Sequence, residues 1–125
     1  MRVVYDAGVL VAAERGDRAV WADHRVRLEL GVLPTTTAPV VAQVSRSGRQ
    51  AGLRRFLRGS DVVAFAPDHA HAVGALLGGS GTHDVVDAHL VVTAASANAT
   101  VLTSDPADLR QLVAHIEDPP RVQAL

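Results

Sequence analysis

The chain has 125 residues, 48% hydrophobic and 3% aromatic, with a formal net charge of −1, which suits one globular domain over residues 1–125 with a core of Val, Leu and Ala. Cysteine is absent and all twelve basic residues are Arg, excluding disulfides, thiolate metal sites, a cysteine nucleophile and the Lys-dependent chemistry of P-loops, Schiff bases and receiver domains. Neither a signal-peptide apolar region nor a run of spanning length occurs, so the expectation is a cytoplasmic protein without a membrane partner.

In chain order, Arg2 to Tyr5 reads as a short buried strand ending on Asp6. The small Ala7 and Gly8 let the backbone turn there into a helix that Glu14 to Asp17 break. Asp6 either caps this helix or stands where open parallel sheets place functional groups. A second helix is expected from about Arg18 to Leu30, stopped by Gly31, and a Thr-rich strand from Leu33 to Thr37. Pro39 opens the next helix, through Arg46. Gln43, set in its apolar run near the helix entry, is expected to be partly buried and to need a partner. Arg46, Arg49, Arg54, Arg55 and Arg58 then form a basic edge on a helix from about Arg49 to Leu57, read as a solvated face or as phosphate contacts. With so few aromatic residues, base stacking is not the expected grip on nucleic acid.

Asp61 to Ala66 reads as a strand and Asp68 to Leu77 as a helix, with Gly78 to Gly81 as a loop and His69 and His71 on the surface. Thr82 is the expected N-cap of a mostly buried helix running to Ser96. Asp84 and Asp87, three apart, share one side of its first turn, where the helix dipole favours negative charge. Two acids entering an apolar helix repel unless water or a cation separates them; simple capping is the other reading. Thr100 to Thr103 reads as a buried strand ending in Ser104, Asp105 and Asp108. A short helix from Leu109 to Val113 follows, then a possible edge strand at His115 and Ile116 and a tail from Pro119.

Helices alternate with short strands throughout, which argues for a parallel sheet covered on both faces. Asp6 and Asp105 would end neighbouring strands at one sheet edge, with Asp84 and Asp87 brought beside them. An all-oxygen cluster suits Mg²⁺ or Mn²⁺ better than zinc.

Four segments carry a resemblance covering nearly the whole chain: Val3 to Leu10, Pro39 to Arg46, Asp87 to Ala94 and Leu102 to Leu109. In order and spacing they are similar to PIN-domain proteins of the VapC type, the toxin ribonucleases of bacterial toxin-antitoxin pairs. The resemblance implies a three-layer α/β/α domain with a central parallel sheet of four to five short strands. It implies an RNA-cleaving enzyme with Asp6, Asp87 and Asp105 as catalytic and metal-binding acids, Asp84 as a further ligand, and Gln43, Thr103, Ser104 and Asp108 in support. Arg46 and Arg49 would contact RNA phosphates. A VapB-like antitoxin and a homodimer are the implied partners. Gln43 departs from the family pattern, which has Glu, so the alternative is a weakened or inactive PIN module that binds RNA or antitoxin without cutting.

Overall fold

The computed structural model describes residues 2–125. Val3–Tyr5 forms β1, three consecutive buried residues, as a strand covered on both faces requires. Asp6 then caps α1 (Ala7–Glu14), and Asp17 caps α2 (Arg18–Glu29) by accepting from the Val20 N–H at 3.1 Å. Thr37, the last residue of β2 (Thr35–Thr37), caps α3 (Ala38–Val44), which carries Pro39 in its first turn. The remaining elements are α4 (Ala51–Arg58), β3 (Asp61–Val63), α5 (Pro67–Ser80), α6 (Val85–Ala97), β4 (Thr100–Thr103), α7 (Pro106–Val113) and β5 (Val122–Ala124).

The five strands lie in the order β3-β2-β1-β4-β5, all parallel, with Val4 beside Thr35 on one side and Val101 on the other. The chain steps outward from β1 through β2 to β3, crosses back, and leaves through β4 to β5. Right-handed crossovers therefore divide the helices between the two faces. Helix α1 packs on α3 and α4, while α5, α6 and α7 pack together. The result is the PIN-like three-layer α/β/α arrangement. Its direction of winding reverses between β1 and β4, and open α/β sheets carry their ligand crevice at the carboxyl ends of such a pair.

Several expected boundaries differ. Helix α5 continues through Gly78, Gly79 and Ser80, because glycine in a helix costs about 1 kcal/mol without forbidding it. The stop is Gly81, whose φ of +69° suits a residue without a side chain. The cap of α6 is Asp84, not Thr82; the Thr82 hydroxyl is hydrogen-bonded to that of Ser80 at 2.8 Å. Helix α7 begins at Pro106, three residues earlier than expected. His115 and Ile116 form no strand; the chain turns at Asp118, φ 57°, and the edge strand is Val122–Ala124, with Val122 beside Val101.

Under the sheet, Tyr5, Phe56 and His24 are buried together with the half-buried Trp21. Phe56 is the hub, its ring centre 5.4 Å from Tyr5, 5.0 Å from Trp21 and 4.1 Å from His24. Three of the four aromatic residues thus tie β1, α2 and α4 into one unit. Among the described residues, no helix is long and apolar enough to cross a membrane.

Candidate active site

Asp6 stands at the reversal point, only 9% exposed. Its Oδ1 accepts from the Ala7 N–H at 2.7 Å and its Oδ2 from the Thr103 hydroxyl at 2.7 Å, while Thr103 Oγ1 accepts from the Asp105 N–H at 3.0 Å. Both oxygens are held, one by the helix that Asp6 caps and the other through the end of β4. Thr103, wholly buried, is therefore the hydroxyl that orients the acid, and Ser104 is exposed. Capping does not take Asp6 away from the sheet edge, since the same carboxylate caps α1 and stands at the carboxyl end of β1.

Asp84 caps α6 by accepting from the Asp87 N–H at 3.0 Å, which leaves Asp87 facing the crevice in the first turn. Its carboxyl is pushed up to about 7, first by partial burial, then by the charges of Asp84, Asp6 and Asp108, and by a hydrogen bond with Asp84. Asp108, fully exposed, is also raised, first by the charge of Asp105 and then by a hydrogen bond with it. A cleft of about 220 Å³ opens here, lined by Thr82, His83, Asp84, Asp87, Asp108 and Gln111 among others. The structure thus brings Asp6, Asp84, Asp87 and Asp108 within electrostatic reach of one another. Asp6 and Asp105 both lie outside the cleft lining; Asp6 meets it through its charge on Asp87, and the exposed Asp105 through Asp108.

These residues suit a hard divalent cation in donor type and charge, because a carboxyl forced to hold its proton near neutral pH gains most when a cation takes the proton's place. Among the described residues no three His, Asp or Glu side chains already form a ligand set. Coulombic coupling reaches farther than coordination, so Asp84 and Asp108, both exposed, would have to rotate inward.

Gln43 is placed differently from expectation. It is exposed, one residue before the end of α3, so its amide is solvated and needs no buried partner. The buried members of that apolar run are Val40 and Val44, and Gln43 stands at the edge of the face they form, turned to solvent. Arg46 and Arg49 are exposed as well, but the Arg46 guanidinium donates to the carbonyls of Ser45 at 2.8 Å and Ala42 at 3.4 Å, closing the end of α3. His71 is on the surface, whereas His69 is half-buried, its Nδ1 3.3 Å from Nε2 of the fully buried His89. The apolar neighbours of His89 carried that signal. Gln111 follows Asp108 by three residues on α7, a spacing that places it on the same face.

Gly8 keeps the two halves of the crevice together. A Cβ there would stand 2.7 Å from Ser104 Cβ and 3.3 Å from Ser104 N. Gly8→Ala is expected to cost about 1–3 kcal/mol by overpacking, read as a lowered denaturation midpoint; an unchanged midpoint would mean that the Ser104 turn yields freely.

No protein-family model and no curated protein matches the chain. Solved structures do. VapBC2 from Rickettsia felis, whose crystal structure includes a DNA fragment from their promoter, aligns with a TM-score of 0.74 at 17% identity, over 100% of this chain and 99% of that one. PAE2754 from Pyrobaculum aerophilum aligns with a TM-score of 0.60 at 18% identity, over 97% and 92%. At such identities the likeness is one of fold.

Proposed function

We propose that this chain, whose fold is that of the VapC-type PIN domains, is a divalent-metal-dependent endoribonuclease and the toxin of a toxin-antitoxin pair. The observation that carries this reading is the convergence of Asp6, Asp84, Asp87 and Asp108 at the reversal point, with Asp87 driven to about 7. A fold needs no such group of acids, and their mutual repulsion opposes it.

Asp6, Asp87 and Asp108 would hold Mg²⁺ or Mn²⁺, with Asp84 and Asp105 beside them. The ion, when bound, supplies Lewis acidity and an activated water for phosphodiester hydrolysis. The chain's own residues prepare the place. Thr103 and the Ala7 amide fix the direction of Asp6, and Asp84 ties down the first turn that presents Asp87. Asp87 would have to give up its proton to serve as a ligand. Thr82, His83 and Gln111 line the cleft as donors among the acids and can meet an RNA strand that carboxylates alone would repel. VapBC2 is the basis for proposing a VapB-like antitoxin, and a homodimer belongs to the same reading. Incubating the purified protein with an RNA oligonucleotide and Mg²⁺ or Mn²⁺ tests it: cleavage should require the ion and stop with EDTA, and cleavage that persists in EDTA would refute it.

A weakened or non-cutting module is the second reading, favoured by the neutral, exposed Gln43. Gln43→Glu is expected to lower the metal concentration for half-maximal cleavage about two- to tenfold, because the added charge acts through solvent. An unmoved midpoint in a metal titration would put the end of α3 outside the site.

A further inference from the structure

A larger cleft than the one at the acids, about 670 Å³, opens beside α2 and α4, and its lining includes Arg18, Trp21, His24, Arg25, Leu28 and Arg55 but no Asp or Glu. Arg18 and Arg25, seven residues apart on α2, lie on one face about 10 Å from each other. Arg55 reaches over from α4, its guanidinium 4.6 Å from the centre of the Trp21 ring. The guanidinium hydrogen bonds among the described residues belong to Arg2, Arg27, Arg46 and Arg54, leaving these three uncommitted.

His24 forms part of the floor and is only 3% exposed. Its Nδ1 is 2.9 Å from the Tyr5 hydroxyl, and Arg27 donates to that hydroxyl at 3.3 Å. The Tyr5 proton is best used on His24 Nδ1, which leaves a neutral ring with its own proton on Nε2. Among the described residues Nε2 has no hydrogen-bond partner. Gly59 keeps the space before it open, for a Cβ there would stand 2.8 Å from Nε2 and 3.1 Å from Leu28 Cδ1. The groove therefore combines an unpartnered N–H on a largely buried histidine with three guanidinia that make no hydrogen bond among the described residues.

We infer that this groove holds single-stranded RNA, with backbone phosphates against Arg18, Arg25, Arg55 and the His24 Nε2–H. Separate guanidinia spaced along a helix face match a repeating oxyanion better than one planar carboxylate, which a single arginine fork satisfies. The Arg55-covered Trp21 can meet a base at its edge. The inference rests on RNA being the substrate and adds a second contact to it.

Trp21 is the only tryptophan, so its fluorescence reports on the groove. Titrating Asp87→Asn protein in EDTA with a short RNA should change that fluorescence saturably. With three phosphates engaged, exchanging Arg18, Arg25 and Arg55 for Gln should flatten the log–log salt dependence by about 2 and weaken binding at least tenfold, as followed by anisotropy of labelled RNA. An unmoved fluorescence, or an unchanged slope in the triple variant, overturns the inference. A response to an acidic peptide and none to RNA also overturns it and assigns the groove to a protein partner. Cleavage by the parent without groove binding would leave the nuclease reading standing alone; groove binding without cleavage would leave the groove and remove the nuclease.

Discussion

Asp87→Asn is expected to reduce RNA cleavage by about 10³-fold, which is about 4 kcal/mol in the barrier, and at the same time to make the protein more stable in alkaline solution. The two effects have one origin. The Asp87 carboxyl is half-buried among Asp84, Asp6 and Asp108, so its charge opposes folding unless a cation compensates it. Because its folded pKa of about 7 lies above the ordinary carboxylate value, the folded protein binds the proton more tightly than the unfolded chain. The associated stability is fully present below about pH 4 and is lost as the pH rises through 7. After solvent screening is discounted for a half-exposed group, the loss is about 1–2 kcal/mol. Denaturant unfolding of parent and variant at pH 4.5 and 8 isolates this group: the variant should gain on the parent only at pH 8, and Mg²⁺ should stabilise the parent more than the variant. Equal differences at both pH values would mean that Asp87 carries no such strain.

Phe56→Ala is expected to cost about 3–5 kcal/mol, a large part of the 5–15 kcal/mol that usually separates folded from unfolded domains. Phe56 is fully buried and its ring touches those of Tyr5, Trp21 and His24. The void left between α2, α4 and β1 cannot collapse easily, because Tyr5 and His24 are held by their own hydrogen bond. Equilibrium unfolding should show a lower midpoint at an unchanged denaturant slope; a cost below about 1 kcal/mol would mean that the cluster repacks.

The elements that speak plainly in the sequence are those in which local pattern and burial agree. Val3 to Tyr5 and Thr100 to Thr103 are uniformly buried and the run from Ala88 to Ala94 is buried except at Val92, and their order is enough to place Asp6 and the end of β4 at one edge. The cap of α6 was obscured because Thr82 and Asp84 are both good cap residues, and the choice depends on which oxygen can reach the Asp87 amide. Val122–Ala124 carries no strand signal of its own; it is ordered by pairing with β4, which the turn at Asp118 makes possible. Gln43 misled because an apolar run shows that a helix packs without showing which side each polar residue takes. The relation of Asp105 to Asp108 was equally hidden, since Asp105 precedes α7 and Asp108 lies in its first turn, a boundary that the sequence pattern placed three residues late.

The hydrogen bond from Thr103 to Asp6 joins residues 97 positions apart, and the parallel pairing of β1 with β4 spans the same interval. At ordinary synthesis rates of about 5–20 residues per second, Asp6 is made roughly 5–20 s before its partner exists. No stretch of nascent chain short of β4 can therefore assemble the acids, and non-local parallel pairing adds further delay after release. Under the nuclease reading, the candidate site therefore cannot form on a nascent chain before β4 has been made.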